Sequence, residues 1–459
     1  MALDKTIYIG AFVHCATLTE LEICTGGSIG VGDDGKIAFV IKDRNSESLP
    51  AGWEAAREVK IKDHGFFFPG FIGIVSDTHI HAPQYPNAGV FGKSTLLDWL
   101  NTYTFPLESS FSDLANAGRI YKRVVSRTLS HGTTTACYYA TVHVPATNLL
   151  ADICKEKGQR AFVGRVCMDQ MSPDYYRDES VDSAIEASRA CIQHVKEIDP
   201  GNDIITSIIT PRFALSCSTE AMKRLGDLHR ETGVPCQTHI SENPKEIELV
   251  REVFPECSSY ADVYDKAGLL TPKMILAHAV HLSKDERALI KKRETKISHC
   301  PASNTALTSG AAKVRELMND GITVGLGTDV SGGYTPSMLA EAREAIFTSR
   351  HRAMLDGDEA KLSTEEVLYL ATRGGAKVVG LEERIGGFEV GKDWDAQMVS
   401  IVGVDSSLDL YQTVGPVEIF GGESWDDKVA KWLYTGDDRN TAAVWVKGRL
   451  VHKTSNFEG

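Results

Sequence analysis

The sequence predicts an α/β fold: a (β/α)8 barrel of the TIM type, joined to a small β-sandwich domain that the N- and C-terminal segments build together. Three observations predict it. Both ends of the 459-residue chain have the pattern of paired β-strands, the middle alternates short apolar strands with helical patterns, and polar residues follow the ends of those strands. We expect 1–68 to be the N-terminal part of the sandwich, 69–385 the barrel, and 386–459 the part that completes the sandwich.

Each end of the chain contains a turn between apolar runs. Near the N-terminus, 6–13 is apolar, and Asp34-Gly35 lies inside the next apolar segment, 30–40. An Asp-Gly pair flanked by apolar residues is a strong hairpin signal. Near the C-terminus, Lys447-Gly448 separates the two short runs of 443–452.

The middle of the chain supplies the strands of a parallel sheet. Together with the strand that enters Asp77, seven further apolar segments make eight: 132–139, 161–166, 204–210, 234–239, 274–278, 296–300 and 324–329. Metal-capable or charged residues fall at the C-terminal ends of five of them: His79, His81, Arg212, His239, His278 and Asp329. An open doubly wound sheet would concentrate its site at one switch point. A site drawn from five strands therefore favours a closed barrel.

Composition disfavours several classes of partner. The formal net charge of −13 argues against nucleic acid and anionic membranes, because both attract basic surfaces. No apolar stretch reaches the roughly 18 residues of a membrane span, and the N-terminus lacks the pattern of a signal peptide. The ten cysteines are scattered without a C-x-x-C pair, which predicts free thiols in a reducing compartment and hence a cytoplasmic protein.

The segment Asp77-Thr78-His79-Ile80-His81 is the start of a predicted metal site. Residues two apart on a strand share a face, so His79 and His81 would hold a cation between them. His239 and Asp329, at two later strand ends, would complete its ligands. Taken singly, each has an ordinary structural explanation, such as a strand histidine without a ligand or, for Asp329, a cap or turn residue. Their occurrence in order at strand ends favours the site.

Two further residues suit proton transfer. Glu242 follows His239 by three positions and would lie beside a metal-activated water; alone, it is better explained as a solvated carboxylate in the first turn of a helix. His278 would hydrogen-bond the same water or a developing oxyanion, and its alternative is a buried, hydrogen-bonded core histidine.

These motifs resemble the amidohydrolase superfamily. Pro69-Gly70-Phe71-Ile72, followed by 77–81, is similar to its opening motif, and Gly327-Thr328-Asp329 to its closing one. Longer strings resemble one family within it, the guanine deaminases, and they run nearly end to end: His81-Ala82-Pro83-Gln84-Tyr85, 97–106, 132–138, Thr210-Pro211-Arg212-Phe213, His239-Ile240-Ser241-Glu242-Asn243, 299–304 and 436–440.

The resemblance implies a hydrolase that converts guanine to xanthine and ammonia, with one Zn²⁺ per subunit and Fe²⁺ equally compatible with the ligands. It implies that Asp329 and Glu242 take the proton of the attacking water, that Glu242 protonates the ring and the leaving amine, and that His278 stabilises the tetrahedral state. It also suggests a homodimer. The implied metal ligands are His79, His81, His239 and Asp329. The implied substrate contacts are His81, Gln84, Arg212, Phe213, His239, Glu242 and Asp329, with Gln84 and Arg212 on the purine edge and Phe213 on its ring.

The sequence departs from the family in one place, because Gly73-Ile74-Val75-Ser76 stands between Ile72 and Asp77. Four extra residues would preserve strand alternation but shift the register, or bulge out before the strand; an artefact of sequence assembly would also explain them. Two other functions stay open. One is deamination of another purine, a pyrimidine or a triazine, and another is a non-catalytic interaction protein on the same scaffold. The cytidine-deaminase architecture is excluded, since neither H-x-E nor P-C-x-x-C occurs.

Overall fold

The computed structural model describes residues 3–61, 65–71, 78–93, 96–403, 415–455 and 457. Asp77 and the segment 73–76 lie outside the described residues. The N-terminal region contains five strands: β1 (Thr6–Cys15), β2 (Leu21–Val31), β3 (Ile37–Ile41), β4 (Arg57–Lys60) and β5 (Phe66–Pro69).

The middle of the chain alternates strands and helices. Its strands are β6 (Ile80–His81), β7 (Thr135–Tyr139), β8 (Arg160–Gly164), β9 (Val166–Cys167), β10 (Ile205–Ser207), β11 (Thr210–Pro211), β12 (Cys236–Ile240), β13 (Met274–His278), β14 (Lys296–His299) and β15 (Val324–Leu326). Its helices are α1 (Leu96–Trp99), α2 (Phe105–Ser109), α3 (Leu114–Ser130), α4 (Val144–Lys157), α5 (Val181–Ile198), α6 (Thr219–Thr232), α7 (Pro244–Val253), α8 (Tyr260–Lys266), α9 (Lys284–Lys292), α10 (Pro301–Ala306), α11 (Val314–Asn319), α12 (Met338–Asp356), α13 (Thr364–Tyr369) and α14 (Gly375–Val379).

The parallel strands close into the predicted barrel. One sheet runs β6-β7-β8-β10 and another β12-β13-β14-β15. They are joined on one side by the backbone N–H of Gln237, which donates to the carbonyl of Ile209 (2.9 Å). On the other side the N–H of Asp329 donates to the carbonyl of His79 (2.8 Å). The eight predicted strand positions are therefore filled, although two predicted continuous strands, 161–166 and 204–210, are each broken into two short pieces.

Both ends of the chain build one separate sheet. The C-terminal elements are β16 (Ala396–Val399), β17 (Val402–Gly403), β18 (Glu418–Ile419), α15 (Trp425–Thr435), β19 (Thr441–Val446) and β20 (Arg449–Lys453). The eight-stranded sheet has the order β20-β19-β16-β5-β1-β2-β3, with β4 paired to β1. Tyr8, Phe67 and Trp445 of this sheet pack into one core with Trp394, which precedes β16. The prediction that the two ends of the chain together build a separate β structure is thus confirmed, while the bounds 1–68 and 386–459 stay predictions.

Turns and helix ends follow local chemistry. Gly35 has φ of 79° in the β2–β3 hairpin, and Gly448 has φ of 76° between β19 and β20, where a side chain would be strained. Helix α6 begins after Ser218, whose hydroxyl accepts from the N–H of Ala221, and it ends at the left-handed Gly233. Within the described ranges, no helix combines the length and the apolar character needed to cross a membrane. All ten cysteines are free thiols.

Candidate functional site

Four side chains bring their ligand atoms together at the C-terminal end of the barrel strands. Nε2 of His81 lies 3.1 Å from Nε2 of His239, and Nε2 of His79 lies 3.1 Å from Oδ1 of Asp329. That oxygen is also 3.6 Å from Nε2 of His81. Ligands held roughly 2.0–2.1 Å from a tetrahedral zinc ion stand roughly 3.3 Å apart. The spacing therefore fits a single ion of this kind.

Closure of the barrel places these groups. His79 and His81 flank Ile80 where β6 meets the end of β15, and both are buried. The N–H of His81 donates to the carbonyl of Val330 (3.1 Å), which keeps this strand beside the segment that carries Asp329. Asp329 itself has φ of 46°, a left-handed conformation that is uncommon outside glycine and recurs at functional sites.

A second set of contacts orients the ligands. The Nδ1–H of His239 donates to the carbonyl of Arg212 (2.5 Å), which leaves Nε2 free to bind a metal. The hydroxyl of Ser303 donates to Oδ2 of Asp329 (2.6 Å) and leaves Oδ1 facing the histidines. The ring of Tyr139 packs against His79, with centroids 4.6 Å apart. Such outer contacts hold the rings and the carboxylate at the angles a metal requires.

The protonation states also fit a metal. Burial, helped by neighbouring cationic groups, lowers the pKa of His79, His81 and His239 well below the ordinary value. Neutral imidazole is the form that binds metals. Neither ring nitrogen of His79 makes a hydrogen bond within the described part of the chain, and a buried polar atom in that state calls for a missing partner. The residues present therefore fit a divalent cation.

Glu242 and His278 stand beside this centre. Nε2 of His278 is 3.6 Å from Oε2 of Glu242 and 3.7 Å from Oδ2 of Asp329, a spacing that leaves room for a bridging water. Nδ1 of His278 donates to Oδ1 of Asn304 (2.9 Å), and the hydroxyl of Ser309 donates to Oε1 of Glu242 (2.9 Å).

Burial places both carboxyl groups in a range suited to proton transfer. It raises the pKa of Glu242 to about 8, with a further rise from the charge of Asp329. It raises the pKa of Asp329 to about 6. A general acid or base works best when its pKa lies near the working pH, and a cation beside Asp329 would favour its ionised, ligating form.

A small cavity opens onto the centre. Its walls combine predicted site residues with apolar side chains of α1 and its neighbours: His81, Gln84, Leu96, Trp99, Leu100, Arg212, Phe213, His239, Glu242, Glu246, Leu307 and Asp329. His79 and His278 lie behind this wall, in contact with Asp329. The structure thus brings together every site residue that the sequence predicted.

Comparison with known proteins decides the family. The profile of the Amidohydrolase family matches residues 66–451. The chain belongs to the amidohydrolase family.

The relatives of this amidohydrolase include guanine deaminases. It is 49% identical to the probable guanine deaminase of Schizosaccharomyces pombe, over 98% of this chain and 84% of that protein. It is 42% identical to the guanine deaminase of Dictyostelium discoideum, over 97% of this chain and 98% of that one. Its structure matches the crystal structure of guanine deaminase from C. acetobutylicum with bound guanine in the active site, with a TM-score of 0.87 and 34% identity, over 98% of this chain and 100% of that one. The resemblance found in the sequence is confirmed.

One buried carboxylate beside the cavity was not predicted from the sequence of this amidohydrolase. Glu108, on α2, is 0% exposed and accepts two hydrogen bonds from the guanidinium of Arg212, 2.6 Å and 3.0 Å long. It also accepts from Nε2 of Gln84 and from the hydroxyl of Tyr176, both at 2.7 Å. A signal was available, since an acidic residue directly after the apolar Phe105-Pro106-Leu107 is unusual in a solvated helix.

Ser303, Asn304 and Ser309 were also missed as functional residues. The first two lie on α10 inside a string that carried the family resemblance, but a sequence string does not show which side chain faces inward. Glu246, on α7, was missed as well. It accepts from the N–H groups of Glu242 and Asn243 (3.0 Å and 3.2 Å) and from the hydroxyl of Tyr260 (2.7 Å), and so anchors the turn that carries Glu242.

Proposed function

We propose that this amidohydrolase is a guanine deaminase, which hydrolyses guanine to xanthine and ammonia. One observation carries the proposal: a single cavity has metal ligands and two proton-transfer groups at one end, and a buried amide and guanidinium at the other. Its near full-length similarity to guanine deaminases supports it.

The proposed cofactor is one Zn²⁺ held by His79, His81, His239 and Asp329. Three neutral imidazoles and a carboxylate form a donor set that zinc accepts readily, and Fe²⁺ accepts the same set. The cavity wall contains no lysine among the described residues, which favours one ion over a pair bridged by a modified lysine. When bound, the ion lowers the pKa of a water molecule and so supplies the nucleophile.

The purine would lie between the two ends of the cavity. The guanidinium of Arg212 offers fixed donors to the ring carbonyl, and the amide of Gln84 offers both a donor and an acceptor to the ring edge. Phe213 packs on the ring, while His81, His239, Glu242 and Asp329 border the carbon that carries the exocyclic amine. All of these side chains line the same cavity, which supports the assignments that the family resemblance implies.

Glu242, Asp329 and His278 would move the protons. Asp329 and Glu242 accept the proton of the attacking water as its oxygen bonds to the ring carbon. Glu242 then delivers this proton to the adjacent ring nitrogen. The hydroxyl group now on the ring carbon gives up the second proton of the water, which Glu242 passes to the exocyclic amine as the C–N bond breaks and the carbonyl forms. His278, fixed by Asn304, hydrogen-bonds the new oxygen. Guanine and water are consumed, and xanthine and ammonia are released.

The direct test follows guanine by ultraviolet absorbance together with ammonia release, on purified, metal-replete protein. A panel of other purines, pyrimidines and triazines tests the alternative substrates. Glu242→Gln should keep its metal but lose on the order of 10²–10⁴-fold in kcat. Wild-type turnover of another base but not guanine would refute the substrate, and normal turnover by E242Q would refute the proton shuttle. A stable, metal-free protein without turnover would support a non-catalytic role.

We further propose a cytoplasmic homodimer, with 69–385 as the catalytic unit between the two sandwich segments 1–68 and 386–459. The ten free thiols support a reducing compartment. Three large apolar side chains on α12, Phe347, Met354 and Leu355, are exposed, which is the kind of surface that a partner subunit covers. Light scattering after gel filtration measures the mass.

A further inference from the structure

Glu108 lies behind the cavity wall, where it contacts Gln84 and Arg212, although no role in the proposed reaction requires it. It lies on α2, outside the strands that carry the metal ligands and Arg212, and it is fully buried. Its two oxygens accept four hydrogen bonds from three side chains: Gln84, Tyr176 and Arg212. A buried charge of this kind persists only when it is paired and hydrogen-bonded.

Its first effect is on charge. Arg212 is 2% exposed, and the described contacts of its guanidinium with a carboxylate are those to Glu108. The Phe105 ring covers its face, 5.2 Å from the centroid. Without Glu108, the purine end of the cavity would carry an uncompensated positive charge in a water-poor site, where charge acts strongly.

Its second effect is on the direction of an amide. A carboxylate only accepts hydrogen bonds, so the 2.7 Å contact fixes the NH₂ group of Gln84 toward Glu108. The carbonyl oxygen of Gln84 is thereby turned the other way, where the N–H of Ser331 approaches it at 3.5 Å. Glu108 therefore decides which hydrogen-bonding pattern the cavity presents to a ring edge.

We infer that Glu108 is a positioning and specificity-determining residue: it cancels the charge of Arg212 and aims Gln84, so that the cavity selects a neutral purine over an anionic one. The inference rests on the proposed function, because it assigns the charge of the substrate at that same site. It would also favour release of the product, because xanthine ionises more readily than guanine and the cavity disfavours the anion.

Other titratable groups surround Glu108, and none of them replaces its charge. Nδ1 of His81 is 4.0 Å from Oε1, and burial keeps that imidazole neutral by lowering its pKa. Tyr176 donates its hydroxyl, and Tyr121 and His143 lie within electrostatic range. The discrimination is therefore tested at one neutral pH, with ligands whose charges differ.

The experiment compares two purines that cannot be deaminated, neutral hypoxanthine and anionic urate, by calorimetric titration of metal-replete protein. Wild-type protein should bind hypoxanthine more tightly. Glu108→Gln should shift the ratio of the two dissociation constants toward urate by about tenfold or more, because Arg212 is then unbalanced. Comparing ratios removes the difference in shape between the ligands. Tyr176→Phe, which removes one hydrogen bond and no charge, should keep the wild-type ratio.

Two further variants separate positioning from charge and cover a folding failure of E108Q. Glu108→Asp keeps the negative charge but moves the carboxylate away from Arg212 and Gln84. KM for guanine should therefore rise about tenfold, while the ratio of the two dissociation constants stays at the wild-type value. Arg212→Gln leaves Glu108 unbalanced and should shift the ratio away from urate. An unchanged ratio in E108Q, or in R212Q if E108Q does not fold, overturns the inference. Wild-type protein that binds these purines but does not turn over guanine would instead overturn the proposed function alone.

Discussion

The two ends of the cavity differ in how completely their polar atoms are satisfied. At the metal end (His79, His81, His239 and Asp329), both ring nitrogens of His79 and Nδ1 of His81 make no hydrogen bond among the described residues. At the purine end (Gln84, Glu108 and Arg212), a network of four hydrogen bonds centres on one carboxylate. The side chains of both ends are buried, except that His239 is partly exposed.

The difference shows what each end needs from its ligand. Buried polar atoms without partners are unfavourable, so the metal end gains stability when a cation binds. The hydrogen bonds of the purine end are already formed, so substrate binding adds little further order there. A preformed site loses less entropy on binding. We therefore expect metal binding to raise the stability of the protein, and purine binding to change the structure of the site little.

The largest effect should come from removing one ligand at the metal end. In His239→Ala, three of the four metal ligands remain, and the carbonyl of Arg212 loses its hydrogen-bond donor. Bound metal should fall close to zero, and guanine turnover should fall by on the order of 10⁴-fold or more. Metal analysis and the ultraviolet assay measure both.

Stability sharpens the same comparison. Chelation should lower the Tm of wild-type protein, since a ligand that binds only the folded state stabilises it, and it should leave the Tm of H239A unchanged. His194→Ala, at a partly exposed histidine paired with Asp152, is the control and should behave like wild type. A wild-type Tm that is indifferent to chelation would contradict the difference between the two ends.

A smaller effect is expected from Asn304, which belongs to neither end. Asn304→Ala removes the acceptor for Nδ1–H of His278, so the ring loses its fixed orientation beside Glu242 and Asp329. We expect kcat to fall by about tenfold or more, with the metal content and KM nearly unchanged. Thr305→Ala, the exposed neighbour on α10, is the matched control. Equal kcat values for the two variants would show that Asn304 does not position His278.

The metal end could be predicted from the sequence because each ligand stands at the end of an apolar strand. Parallel strands of a barrel end on the same face, so strand recognition alone brought His79, His239 and Asp329 together. The hairpins at Asp34-Gly35 and Lys447-Gly448 were predicted for an equally local reason, because the turn chemistry lies in two residues. β5 and β16 were not predicted, since their pairing joins segments more than 300 residues apart.

The purine end depends on contacts that sequence order does not reveal. Glu108 lies on a short helix after the first ligands, and its ion pair with Arg212 spans 104 residues. Arg212 was predicted from a strand end, but its counter-charge was not, because an acidic residue on a helix is usually solvated. The two breaks in the predicted strands 161–166 and 204–210 have a similar origin, since local apolar pattern does not show where a barrel strand bends.

The smallest effect on activity, and a measurable one on stability, is expected at Glu246 behind the Glu242 turn. Burial, with a contribution from the charge of Glu242, raises the pKa of Glu246 to about 7 from an ordinary 4.5. A carboxyl with a raised pKa destabilises the folded state progressively as pH rises from its unfolded value to its folded value, and by a constant amount above that. Glu246→Gln keeps an oxygen for the N–H groups of Glu242 and Asn243 but removes the titration.

The measurement is the free energy of unfolding of metal-depleted wild type and E246Q across this pH range. Relative to wild type, E246Q should gain on the order of 3 kcal/mol between pH 4.5 and pH 7, and the difference should then level off. Glu248→Gln, at an exposed position of α7, should change stability by less than about 0.5 kcal/mol. A difference between E246Q and wild type that does not depend on pH would mean that the hydrogen bonds from Tyr260 and the backbone fully offset the burial of this carboxylate. Hydrogen bonds would then fully compensate the buried polar groups of the turn that carries Glu242, as they do at the purine end.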